Sequence, residues 1–256
     1  EAQGRQKPRR SSSISIMADA SDRLGYAGRT FSGRQNQVTK MTPVEVFYSF
    51  RSPYCYLLTD RLTTLARDYE VAVMIRPVYP IAVRNPEFFR RVDPLYRPYH
   101  LRDSDRLAEY LNIPYRRPVP DPIVQDLASG TIAAEQPYIR HITRMAQAAT
   151  EAGMGLAYSA AVMKLLWNGA TDNWHEGSHL STACREAGLD FDVLDDRAQR
   201  EAAALDSEIE HNQEAQRAAG HWGVPLMVFA GEPFYGQDRF NILCWRLSQQ
   251  GLRKSN

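Results

Sequence analysis

Four consecutive residues, Ser52-Pro53-Tyr54-Cys55, carry the densest local chemistry in the chain. Serine is a good helix N-cap, and proline suits the first helical position. A helix therefore opens at this point. Its free N–H groups and macrodipole stabilise negative charge, a thiolate included. Ser52 has two readings there. It is an N-cap only, or its hydroxyl donates a hydrogen bond to a thiolate brought by a ligand and lowers that thiol's pKa. Cys55, one turn further on, is either a packed thiol or a single redox-active one.

Two other segments match this one in kind. Gly223-Val224-Pro225 stands just before an apolar run. A cis Pro225 there would let the peptide group before it pair with an extended ligand backbone, and a trans proline would simply start a strand. Gly236-Gln237-Asp238-Arg239 opens the last helix. Its N–H groups suit a carboxylate, and Asp238 suits an ammonium group or simply complements the dipole. A fourth motif points elsewhere. His175-Glu176-Gly177-Ser178-His179 spells H-E-x-x-H, which on one helix would bind zinc. Gly177-Ser178 are poor helix formers, so solvated histidines at a helix start are favoured over a metal site.

The elements that place these residues follow from periodicity. Val44–Phe50 is β-branched and aromatic, apolar on nearly both faces, and predicts a central strand. Leu58, Leu62, Leu65 and Tyr69 give one face of the helix after Ser52. Val71–Tyr79 predicts a second strand, hence a right-handed βαβ unit. From about 85 to 220 the pattern is helical: Leu101–Leu111, a face from Ile139 to Ala149, Leu156–Trp167, Leu180–Ala187, and one long helix over Phe191–Ala219. Pro114–Pro122 predicts loop. Leu226–Ala230 and Pro233–Tyr235 return to strand around a Gly231-Glu232 turn, and Phe240–Leu247 closes with a helix. The order βαβ, helical block, ββα is that of an α/β thioredoxin-type sheet with a large helical insertion. It divides the chain into 42–84 with 221–256, and an inserted 85–220.

Composition sets outer limits. The 256 residues are 24% charged and 43% hydrophobic, the range of a globular enzyme. Residues 1–40 carry a formal charge of +5 and the remainder −4. That opening stretch, through residue 41, lacks apolar period and is expected to be a disordered or non-native extension. Three widely spaced cysteines are not a disulfide framework and favour a reducing, cytoplasmic setting. A net charge of +1 implies no nucleic-acid partner, and no apolar run is long enough to span a membrane.

Taken together, the motifs resemble the 2-hydroxychromene-2-carboxylate isomerases and kappa-class glutathione transferases, which share a DsbA-like thioredoxin fold. Ser52-Pro53-Tyr54-Cys55-Tyr56-Leu57, Gly223–Pro225 and Gly236–Phe240 match in order and spacing. Tyr99, Asp103, Arg106 and Ala108 before Ile113-Pro114 match more loosely. The resemblance covers about residues 44–250. It implies a glutathione-dependent isomerase, with Ser52 on the glutathione sulfur, Val224 before a cis Pro225 pairing with the cysteinyl part, and Gln237 and Asp238 on the γ-glutamyl end. It also implies Asn85, Trp167, Tyr54 and Cys55 near a small aromatic substrate, and a homodimer. The chain departs from the pattern at Cys55, which replaces a serine, at Tyr96, which replaces a lysine, and at Leu107, which replaces a tryptophan. A kappa-like transferase and a DsbA-like oxidoreductase using Cys55 are the alternatives.

Overall fold

The computed structural model describes residues 41–126 and 129–255. The expectation for residues 1–40 lies outside them. The elements run β1 (Thr42–Tyr48), α1 (Pro53–Asp68), β2 (Val71–Pro77), α2 (Ile81–Arg84), α3 (Phe88–Arg91), α4 (Tyr96–Leu111), α5 (Pro137–Glu151), α6 (Gly155–Trp167), α7 (His179–Glu186), α8 (Phe191–Arg200), α9 (Ala202–Ala218), β3 (Leu226–Phe229), β4 (Glu232–Tyr235) and α10 (Phe240–Gln249). A 3-10 turn over Gln237–Arg239 leads into α10.

The four strands form one sheet in the order β2-β1-β3-β4. β1 pairs parallel with β2, Val46 opposite Ile75, and antiparallel with β3, Phe47 opposite Leu226. Burial on both faces explains the apolar reading of β1. Val44, Val46 and Tyr48 join the main core, while Phe47 joins Val78, Leu226 and Val228 on the other face, against Ala215 and Ala219. The main core continues without interruption into Met145, Tyr158 and Trp167 of α5 and α6.

Two boundaries differ from the sequence expectation. α4 begins at Tyr96 rather than Leu101 and carries Pro98 in its first turn, where a missing N–H costs nothing. The stretch 191–219 is two helices, not one. The chain turns at Glu201 (φ −103°, ψ 21°), with Arg197 donating to Glu201 and to Glu151 on α5. The bend lets Leu194 and Ala198 on one side and Leu205 and Ile209 on the other all face the core. Neither glycine nor proline marks it in the sequence. Elsewhere the stops read locally: α7 and α9 give way to Gly188 (φ 76°) and Gly220 (φ 104°), where L side chains fit poorly.

Candidate functional site

β1 ends at Tyr48, and the next four residues turn into α1. Ser52 takes extended backbone angles, and its Oγ accepts a hydrogen bond from the Cys55 N–H at 3.3 Å. This is the capping geometry the Ser-Pro pair predicts. The loop is fixed from several sides. The Ser52 N–H donates to the Ser49 carbonyl at 3.1 Å. Arg51 forks onto Asp121 at 2.9 and 3.0 Å. The Trp167 indole donates to the Phe50 carbonyl at 3.0 Å.

Ser52 opens onto a cleft of about 380 Å³. Val224, Gly223 and Tyr235 line the side towards β3 and β4. Tyr54, Arg84, Phe88, Tyr96 and His100 line the cleft from α1 to α4. The cleft is rich in aromatic rings and cations. Trp222 meets Phe88 edge-on at 5.2 Å, and His221 stacks on Tyr235 at 3.7 Å. Burial and the neighbouring Arg117 and Arg51 lower the His100 pKa. Ser49 also lines this cleft. It is buried, and its Oγ has no hydrogen-bond partner among the described residues.

Several expected site residues meet here. The Val224–Pro225 peptide is cis, as is Val119–Pro120. The Gly236 N–H donates to the Pro225 carbonyl at 2.9 Å, which ties the two glycine motifs together. Tyr54 lines the cleft and donates its hydroxyl to Asp103 at 2.7 Å; burial first, then Asp103, raises its pKa. Asp103 also accepts from Arg106 at 2.6 Å, so those two members of the looser α4 motif form one cluster with Tyr54.

Other expected residues lie apart from the cleft walls. Cys55 is fully buried behind Ser52, and burial pushes its thiol up to about 12. Trp167 is fully buried, stacked against Tyr56 and Tyr115, and does not line the cleft. Asn85 is exposed at the end of α2, its N–H bonded to the Ile81 carbonyl at 2.8 Å. Gln237 is buried, and its side-chain and backbone oxygens accept from Arg61 at 2.6 and 3.1 Å. Asp238 is half-exposed and pairs with Arg239 at 2.7 Å. His175 stands in a turn, Gly177 has φ 56°, and the helix begins only at His179, so the two histidines share no helical face. Among the described residues no group of three metal-ligating side chains gathers.

Sequence reasoning missed Arg61, Arg84 and Ser49. The spacing of Leu57 and Arg61 on α1 signals a cation on a buried face. Arg84 carries no such signal, because its neighbours come from α9 and the segment before β3.

A family description, the DSBA-like thioredoxin domain, matches residues 43–247. The chain belongs to that family. Among solved structures it is similar to a 2-hydroxychromene-2-carboxylate isomerase, at 20% identity over 81% of this chain and 95% of that one, with a TM-score of 0.59. A probable DsbA oxidoreductase from Streptomyces coelicolor is 15% identical over 81% and 89%, with a TM-score of 0.56. The cytosolic disulfide reductase DsbM from Pseudomonas aeruginosa is 16% identical over 82% and 100%, with a TM-score of 0.52. At these identities the likeness is one of fold. No curated protein matches the chain. Among the described residues no helix is long and apolar enough to cross a membrane.

This chain puts a hydroxyl at the start of α1 and a thiol behind it. Dithiol exchange needs an accessible thiolate. Cys55 is neither accessible nor poised to ionise, whereas Ser52 faces the cleft.

Proposed function

We propose that the chain is a glutathione-dependent isomerase of the 2-hydroxychromene-2-carboxylate isomerase type, acting on an aromatic 2-oxo acid or its cyclic hemiketal. One observation carries the reading: the cleft presents the Ser52 hydroxyl, while the adjacent thiol of Cys55 is buried and held protonated. The thiol that reacts must then come from a ligand. The residues present fit such a ligand. Ser49 and Ser52 both line the cleft, and the Ser49 hydroxyl has no hydrogen-bond partner among the described residues.

Bound glutathione would supply the thiolate that adds to a conjugated carbon of the substrate and is later expelled, with no net consumption of the tripeptide. The rest falls to side chains and backbone of this chain. Ser52 accepts from the Cys55 N–H and its hydroxyl also lies against the Cys55 thiol, so its proton would turn from that thiol to the ligand sulfur and stabilise charge there. The N-terminal end of α1 adds its dipole. The Val224 backbone would pair with the cysteinyl segment, and the Gln237–Asp238 turn would hold the γ-glutamyl end, with Arg61 fixing the Gln237 amide. Phe88, Tyr96, Trp222 and Tyr235 would offer apolar faces to an aromatic substrate. Three free, buried cysteines favour a reducing, cytoplasmic setting.

The test is an ultraviolet titration of bound glutathione thiolate in wild type and Ser52→Ala. A hydrogen bond to a charged group is worth about 1.5–3 kcal/mol, so the bound thiol pKa should rise by about 1–2 units in the variant. An unchanged thiol pKa removes Ser52 from the role. A product assay on an aromatic 2-oxo acid, with total thiol counted before and after, separates isomerase from transferase.

A further inference from the structure

One half-buried cation on the cleft wall has no negative partner among the described residues. Arg84 ends α2 and lines the cleft beside Phe88 and Trp222. Its Nη1 donates to the Gln216 side-chain oxygen at 3.1 Å, and its Nη2 to the Trp222 carbonyl at 3.2 Å. Both acceptors are neutral. Its Nε is buried without a partner. A guanidinium carries five N–H donors, so three remain unused. The other cleft arginines differ. Arg51 and Arg117 share Asp121, Arg90 pairs with Glu87, and Arg97 is exposed and screened by solvent. For Arg84, among the described residues, no carboxylate lies within ion-pair distance. Burial and the nearby Arg217 instead push its pKa down to about 10. A buried charge is costly until it is paired, and a planar guanidinium pairs best with a carboxylate.

We propose that Arg84 is the carboxylate-binding residue of the cleft and selects ligands that bring a carboxylate to it. This deepens the proposed function and shares the cleft with it. Two sources supply the same chemistry. An aromatic 2-oxo acid would lay its ring on Phe88 and Trp222 with its carboxylate at Arg84. Alternatively, an extended tripeptide paired with Val224 would run from the Gly236 side, which bonds the Pro225 carbonyl, towards Trp222, and place its glycine carboxylate at Arg84. The competing role is mechanical, because Arg84 and Gln216 together clamp the Trp222 and Gly223 carbonyls.

Calorimetric titrations decide between them. The ligands are phenylglyoxylic acid and its methyl ester, and glutathione and its glycine ethyl ester, each against wild type, Arg84→Met and Arg84→Lys. Arg84→Met should weaken one of the two acids by about tenfold or more, the size of a charge-assisted hydrogen bond, and its ester by less than about twofold. Arg84→Lys should recover part of the loss. Loss confined to phenylglyoxylic acid assigns the subsite to the electrophile, and loss confined to glutathione assigns it to the glycine end. Equal loss of acid and ester, or no loss, overturns the proposal. If Arg84→Met does not fold, the wild-type comparison stands alone, and esters binding within about twofold of both acids overturn it. Glutathione failing to bind the wild type refutes the proposed cofactor and leaves the aryl-acid arm to test Arg84.

Discussion

Trp167 offers a sharp test of how the site loop is held. The indole is fully buried against Tyr56 and Tyr115, with ring centroids at 6.4 and 5.7 Å. Its Nε1 donates at 3.0 Å to the carbonyl of Phe50, two residues before Ser52. Trp167→Phe keeps most of the apolar body and removes the donor. A buried carbonyl without a partner costs about 1–3 kcal/mol. Trp167→Ala also leaves a cavity, and such changes cost about 3–5 kcal/mol. With a urea m-value of about 2 kcal/mol/M, the unfolding midpoint should fall by about 1 M for Phe and about 2 M for Ala. Both variants should also weaken glutathione binding, because the loop carrying Ser52 loses its anchor. The refuting result is specific. Wild-type urea midpoints combined with lost binding of the aromatic acid alone would mean that the ring works in a substrate pocket and not in the core.

Two further perturbations probe the same cleft. In Gly223→Ala the added Cβ would lie 2.5 Å from the Tyr235 ring, which must then leave its stack on His221; we expect a loss of about 1–3 kcal/mol in urea unfolding together with weaker glutathione binding, and wild-type behaviour in both would refute the contact. Asp121 is buried, which raises its pKa, but Arg51, the Ile123 N–H and Arg117 outweigh burial and leave it lowered. Its stabilising contribution is therefore complete above the ordinary carboxylate pKa of about 3.9 and is lost as pH falls through the lower folded value. Asp121→Asn should remove that part of the acid transition and destabilise the protein at pH 7, and an acid-unfolding curve identical to the wild type would count against the Arg51–Asp121 anchor.

The parts of the fold legible in the sequence are those decided by local chemistry. Ser52-Pro53 announces its own helix, and the apolar run of β1 announces a strand buried on both faces. The break at Glu201 is not legible, because it answers to two core contacts and to an arginine bridging α5, none of which is local. The site divides in the same way. Ser52 and Val224 follow from motif and element order. The depth of Cys55 does not, because a residue three positions into a helix can face solvent or core, and only the packing of α1 against the sheet and α6 settles it. Arg61 and Arg84 show the limit most clearly. Spacing from Leu57 puts Arg61 on a buried face, but only tertiary structure reveals that it holds Gln237 and that Arg84 meets only neutral acceptors in the cleft.

The anchors of the Ser52 loop bear on the role proposed for its hydroxyl. A hydrogen bond to a thiolate stabilises charge well only if the donor is already aimed and need not reorganise. Here the Phe50 carbonyl is bonded to Trp167, Arg51 is forked onto Asp121, and the Ser52 Oγ is committed as an acceptor to the Cys55 N–H. Together these constraints fix the backbone on both sides of Ser52 and the direction of its side chain. Burying Cys55 fits the same logic. A buried thiol kept up near 12 holds too little thiolate to attack a disulfide, so Cys55 is poorly suited to thiol-disulfide exchange.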